Sequence, residues 1–199
     1  MDLHYVIAEL RHLIAATPTA DKEVVQAHID GLGIFTKQRS VYVGKNFALR
    51  ISEANTGSFS NVVLSLSALQ KYDRFPVVIC IVRPDRIDFK LANTTFLRKI
   101  SHSSLALRVD NVKGSFLGHD ILDEYQGIPN RPENFDQLVA AHAEFTWTLN
   151  LERLVGTTNA IVATKTRFEP DETALAAIMN SPSRAAAVVA SPAYNAAEA

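Results

Sequence analysis

At 199 residues, with 47% hydrophobic and 21% charged residues, the chain has the make-up of an ordinary globular domain, long enough to bury a core without staples. The formal net charge of −1 means that any basic cluster is local and not a general basicity of the protein. One cysteine, Cys80 within the apolar run VVICIV, excludes a disulfide framework or a cysteine-rich zinc site.

No run reaches the roughly 18 to 20 apolar residues that a membrane span requires. The start, MDLHYVIAELRHLIAATP, has acid and histidine where a signal peptide is basic. The expected compartment is therefore the reducing cytoplasm, with no membrane partner.

Val6, Leu10, Leu13 and Ile14 recur at helical spacing and predict a helix over 2–16, limited by Pro18. Thr19 or Asp21 caps a second helix with Val24, Val25, His28, Ile29 and Leu32 on its apolar face. From Ser40 the period falls to two. Val41 and Val43, then Phe47, Leu49 and Ile51, flank Gly44-Lys45-Asn46 as a hairpin. A helix is predicted over 59–71 on Val62, Val63, Leu66 and Leu69.

Val77–Val82 is β-branched and continuously apolar, the pattern of a central strand buried on both faces. Arg83-Pro84-Asp85-Arg86 has turn chemistry and leads into the alternating Ile87, Phe89 and Leu91. Beyond it come a short turn capped by Asn93 or Thr94 and brief strands around Asp110-Asn111. An acidic connection over 120–136, a long helix over 133–154 and a last strand over 160–164 follow. The expected fold is α+β, a mixed, largely antiparallel sheet with N-terminal helices and a long C-terminal helix packed on it. Residues 1–168 form a single domain, and 169–199 a short helix and Ala-rich tail or linker.

Residues 90–119 carry Lys90, Arg98, Lys99, Arg108 and Lys113 against one acid, Asp110, with His102, His119 and six hydroxyl side chains. Cations interleaved with hydroxyls and amides are the groups that hold phosphate oxygens. The expected nucleic-acid contacts are Arg83, Arg86, Asn93, Thr94, Arg98, Lys99, Ser101, His102, Ser103, Arg108, Asn111 and Lys113.

Pro84-Asp85 followed by Asp88-Phe89-Lys90 has the residue types of a metal-dependent nuclease, in which two acids hold a divalent cation and a lysine stabilises charge on phosphorus. Three residues leave no room between the two acids, so Glu53 from the earlier strand replaces Asp85 in a second version. The candidate catalytic residues are thus Glu53, Asp85, Asp88 and Lys90, with Glu53 and Asp88 holding Mg²⁺ if the chain is catalytic. Asp120, Asp123 and Glu124 offer another set of hard oxygen ligands. The six histidines lack HxH, HExxH or HxxxH spacing, and His28 and His142 read as satisfied core or boundary residues. No nucleophile elbow, phosphate loop or dinucleotide fingerprint occurs.

The segment ANTTFLRKISHSSLALRVDNVKGSFLGHDI resembles segments of bacterial type II restriction endonucleases and their DNA-recognition domains. The resemblance covers about 30 residues and implies a restriction or defence protein acting on duplex DNA, with Asp88 and Lys90 as metal ligand and catalytic lysine. Three readings stand: a Mg²⁺-dependent endonuclease, a non-catalytic DNA-recognition domain of a larger restriction enzyme, and a protein-interaction domain. Duplex DNA is the expected partner of the first two, with a homodimer as an optional assembly.

Overall fold

A computed structural model describes residues 2–18, 20–55, 59–101, 106–107, 114–161 and 169–170. Two helices open the chain, α1 (Leu3–Ala16) and α2 (Lys22–Gly31). Each begins where an aspartate satisfies an orphan amide: Asp2 accepts from Tyr5 N and Asp21 from Val24 N, both at 2.9 Å. Their buried stripes, Val6, Leu10 and Ile14, then Val25 and Ile29, follow the helical period.

Five strands form the main sheet: β1 (Thr36–Gln38), β2 (Val41–Val43), β3 (Ala48–Glu53), β5 (Val77–Val82) and β6 (Ile87–Leu91), in the order β1-β2-β3-β5-β6. β3 and β5 are parallel; the other pairs are antiparallel, so the fold is α+β with a mixed, mostly antiparallel sheet. Both predicted hairpins form. Gly44 N donates to Phe47 O, and Arg83 N to Arg86 O, each at 2.9 Å.

All six residues of β5 are buried, because both faces of the sheet are covered. Val78, Cys80 and Val82 pack toward α1 and α2, and burial pushes the Cys80 thiol up, out of reach of the thiolate form. Val77, Ile79 and Ile81 face the opposite layer. That layer holds β4 (Val62–Ser65), α3 (Leu66–Gln70), β8 (Ser115–Leu117) and α5 (Trp147–Ile161), whereas β9 (Glu124–Tyr125), β10 (Ile128–Pro129) and α4 (Phe135–His142) pack on the α1/α2 core through Tyr125, Ile128, Phe135 and Leu138. Two further short strands, β7 (Ala106–Leu107) and β11 (Glu169–Pro170), pair with each other.

The structure departs from expectation in three places. Within 59–71 only Leu66–Gln70 is helical, capped by Ser65, whose hydroxyl accepts from Ala68 N at 3.2 Å; Val62–Ser65 pairs antiparallel with β8 instead. The long C-terminal helix is two helices, because Thr146 restarts the turn by accepting from Leu149 N at 3.3 Å, and Phe145 and Leu149 lie exposed. α5 runs to Ile161, across the start of the strand expected at 160–164, whose remainder lies outside the described residues. So do the turn at Asp110-Asn111 and all of the tail but Glu169–Pro170; β7 pairs with β11 and β8 with β4, not with each other. No helix among the described residues is long and apolar enough to cross a membrane.

Candidate nucleic-acid interface

Strand alternation decides the geometry of the expected catalytic residues. Asp88 and Lys90 sit opposite Ile81 and Ile79, which face away from α1 and α2. Glu53 sits opposite Val82, which faces α1 and α2. Because side chains alternate across a strand, Glu53 and Asp88 project from opposite faces of the sheet, so they do not share a metal.

The other members are committed to counter-ions. Asp88 receives Arg83 Nε on one oxygen at 2.6 Å and Arg86 Nε on the other at 3.1 Å. Arg86 also meets exposed Asp85 at 3.1 Å, and its guanidinium is pushed up, chiefly by Asp88. Arg83 is nearly buried and donates to Asn55 O at 2.6 Å, which makes it a strut under the turn. Lys90 Nζ donates to Asp123 Oδ1.

Asp120 belongs elsewhere: it is fully buried, accepts from Leu117 N at 2.8 Å, and lies 3.5 Å from His119 Nε2 and 4.0 Å from Lys99 Nζ. Among the described residues no three His, Cys, Asp or Glu side chains come together to hold a metal. The carboxylates do not fit Mg²⁺, which demands near-octahedral oxygen ligands.

The groove beside β6, about 680 Å³, is correspondingly mixed in sign, with Arg11, Lys90 and Arg131 among Asp88, Asp123, Glu124 and Glu133. Arg11 and Glu133 are paired across it at 3.0 Å.

Asn93 and Thr94 are corrected as DNA contacts, since both are fully buried in a polar knot. Asn93 accepts from Val77 N at 2.9 Å and donates to Phe75 O at 2.7 Å. Thr94 donates its amide to Asp73 Oδ1 at 2.9 Å and its hydroxyl to Asp73 Oδ2. Asn150 donates to the hydroxyls of Thr94 and Thr95 at 3.0 and 2.9 Å. His142 Nε2 lies 2.6 Å from Asp73 O; a carbonyl only accepts, so this nitrogen carries the proton, and Nδ1 accepts from the Thr95 hydroxyl at 2.7 Å. Arg153, held below its ordinary value by burial, donates to Thr94 O at 2.7 Å and Leu97 O at 3.1 Å. The knot rivets residues 73–75 and 93–97 to α4 and α5.

Of the remaining expected contacts, Arg98 is exposed and Lys99 half-buried near Asp120; Ser101 is half-buried, its carbonyl accepting from Ser115 Oγ at 3.0 Å. His102, Ser103, Arg108, Asn111 and Lys113 lie outside the described residues.

A second groove, along the far edge of the sheet, has the chemistry the sequence placed elsewhere. Two adjoining hollows, about 300 and 470 Å³, share Gln38, Lys71 and Tyr72. Arg39 lines the first and Arg74 the second, so the three cations run in the order Arg39, Lys71, Arg74. Ser40, Ser65 and Ser67 supply hydroxyls, and no acid is among the described residues lining either hollow. None of the three cations forms an ion pair with a described acid; Arg74 stacks over the Phe75 ring at 4.7 Å. The acid next in sequence, Asp73, is turned inward into the polar knot.

Comparison with protein-family models, curated proteins and solved structures finds no match for this chain. Sequence reasoning missed Arg39, Lys71 and Arg74 because about thirty residues separate Arg39 from the other two. Lys71 and Arg74 are three apart, but Asp73 between them hides the signal until its burial is known.

Proposed function

We propose that the chain is a DNA-binding module of a restriction-modification or defence system, seating duplex DNA in the groove that Arg39, Lys71 and Arg74 line. A cytoplasmic location accompanies that partner. The carrying observation is the groove itself, three unpaired cations with hydroxyls and no acid among its described lining residues. Phosphate oxygens accept from such groups without first displacing a carboxylate. The defence-system context rests on the resemblance of residues 92–121 to restriction endonucleases and their recognition domains. Of the versions that resemblance allows, the non-catalytic one agrees best with Asp88 and Lys90 being held by counter-ions and Glu53 lying across the sheet.

Fluorescence anisotropy on a short labelled duplex, read from 50 to 200 mM salt, tests the proposal. Each phosphate held releases counter-ions and contributes about −0.9 to the slope of log affinity against log salt. Lys71→Ala and Arg74→Ala should each weaken binding and flatten that slope by about one. Affinity that ignores salt, or no binding at 50 mM, would overturn it. Plasmid nicking in Mg²⁺ that Lys90→Ala abolishes would restore the endonuclease reading.

A further inference from the structure

We propose that Arg39 reads a base edge in the major groove of DNA, while Lys71 and Arg74 behind it hold the backbone; the inference rests on the DNA-binding reading above. β1 and β2 are joined by two residues, Arg39 and Ser40, with Gln38 opposite Val41. Arg39 has φ 57, a left-handed conformation that glycine, asparagine or aspartate adopts far more readily than arginine. An arginine at such a position works against local backbone preference.

Its side chain does not repay that conflict inside the fold. Arg39 is exposed, and among the described residues it makes no hydrogen bond or ion pair. The tip is braced by its neighbours instead. Gln38 Oε1 accepts from the Tyr72 hydroxyl at 2.7 Å, and Ser40 O accepts from Arg50 Nη1 at 3.0 Å. The half-buried Arg50 guanidinium, lowered by desolvation, also donates its Nε to Val63 O at 3.1 Å and so ties the tip to β4. A guanidinium on a braced turn is pre-organised, and its planar fork suits the O6 and N7 acceptors of guanine.

The position along the groove separates this role from a third phosphate contact. Lys71 lines both hollows and Arg74 the second, whereas Arg39 stands at the far end, on the hairpin tip. β1 is the edge strand of the five-stranded sheet and its three residues are all exposed, so the outer edge beside the hairpin tip is bare. A major groove about 12 Å wide presents its base edges to an arginine side chain carried on a hairpin tip at that edge. The deep, narrow major groove of duplex RNA does not.

The test is retention of a randomised duplex-DNA pool by the full chain, followed by sequencing of the retained fraction, with thermal melting and a salt titration on each variant. Wild type should enrich guanine at one position by roughly tenfold, the lower part of what a bidentate contact discriminates. Arg39→Gly should melt at or above the wild-type temperature, because glycine suits the left-handed backbone, yet lose the enrichment with an unchanged salt slope. Arg39→Lys should lose it too although charge is kept, and Lys71→Ala should weaken retention with enrichment intact. Enrichment that survives Arg39→Gly, a pool retained by wild type without base preference, a slope flattened by about one in Arg39→Gly, or tighter retention of duplex RNA would each overturn the inference. Failure of wild type to retain any DNA would overturn the DNA reading beneath it.

Discussion

The two grooves at opposite edges of the sheet have nearly the same number of cations and opposite availability. Beside β6, Lys90 and Arg11 each meet a carboxylate and Arg131 stands among Asp123, Glu124 and Glu133, so a phosphate approaching that groove competes with several acids. Along β1 and α3, Arg39, Lys71 and Arg74 meet no described acid, and the neighbouring Asp73 spends its charge inside the fold. What distinguishes a polyanion surface from a solvated charged face is the pairing of the cations, not their count.

The largest test of this contrast removes the inward acid. Asp73→Ala leaves the amide and hydroxyl of Thr94 without their acceptors in a fully buried site, and it should cost about 3 kcal/mol. The measurement is a urea melt, read as a lower midpoint at constant slope. Under conditions where the variant is still folded, its DNA affinity should stay within about twofold of wild type, because the lost charge never faced the groove. A marked rise in affinity with unchanged stability would show that Asp73 does reach the surface and that the acid-free description is wrong.

A smaller effect is expected from releasing a cation on the opposite edge. Asp123→Asn frees Lys90 from a carboxylate that is itself almost fully exposed, and an exposed ion pair is worth at most about 1 kcal/mol. DNA affinity should rise by no more than about threefold, since Asp88, Glu124 and Glu133 still line that groove. A rise of tenfold or more in the same anisotropy titration would reverse the comparison, making the β6 groove the DNA surface and its acids the lock.

The same contrast explains what could be read from the residues alone. The hairpins at 41–51 and 77–91 were legible because local signals agree there, period-two alternation in 41–51 and 87–91, an unbroken β-branched run over 77–82 and turn chemistry between the strands, and none of these depends on distant contacts. The stretch 62–70 was not, since Val62, Val63, Leu66 and Leu69 satisfy a helical spacing as well as a strand that then turns. Pairing of Leu64 with Phe116, more than fifty residues away, decides between them. Asp88 and Lys90 share one strand face, as the alternation of Ile87, Phe89 and Leu91 implies, but which face Glu53 takes follows from the parallel register of β3 on β5, and no local pattern encodes it. The polar knot joins Asp73, Asn93, Thr94, His142 and Asn150 across most of the chain, so Asn93 and Thr94 looked like surface hydrogen-bonders until their partners were known.

The smallest expected effect is a pH dependence that separates an exposed charge network from a rigid one. Glu133 is held below the ordinary carboxylate value first by its own backbone amide and next by the Arg11 guanidinium. A carboxyl depressed in the folded state stabilises the fold above its unfolded value, about 4.3, and loses that contribution as pH falls through its lower folded value. Wild type should therefore lose a few tenths of a kcal/mol more than Glu133→Gln between about pH 5 and pH 3, read from paired urea melts, because both side chains are at least half exposed and screened by solvent. A difference above about 1 kcal/mol would mean that the ion pairs flanking β6 hold that groove rigidly. Its cations would then be withheld from phosphate by structure and not merely by competition, and Asp123→Asn should leave DNA affinity unmoved.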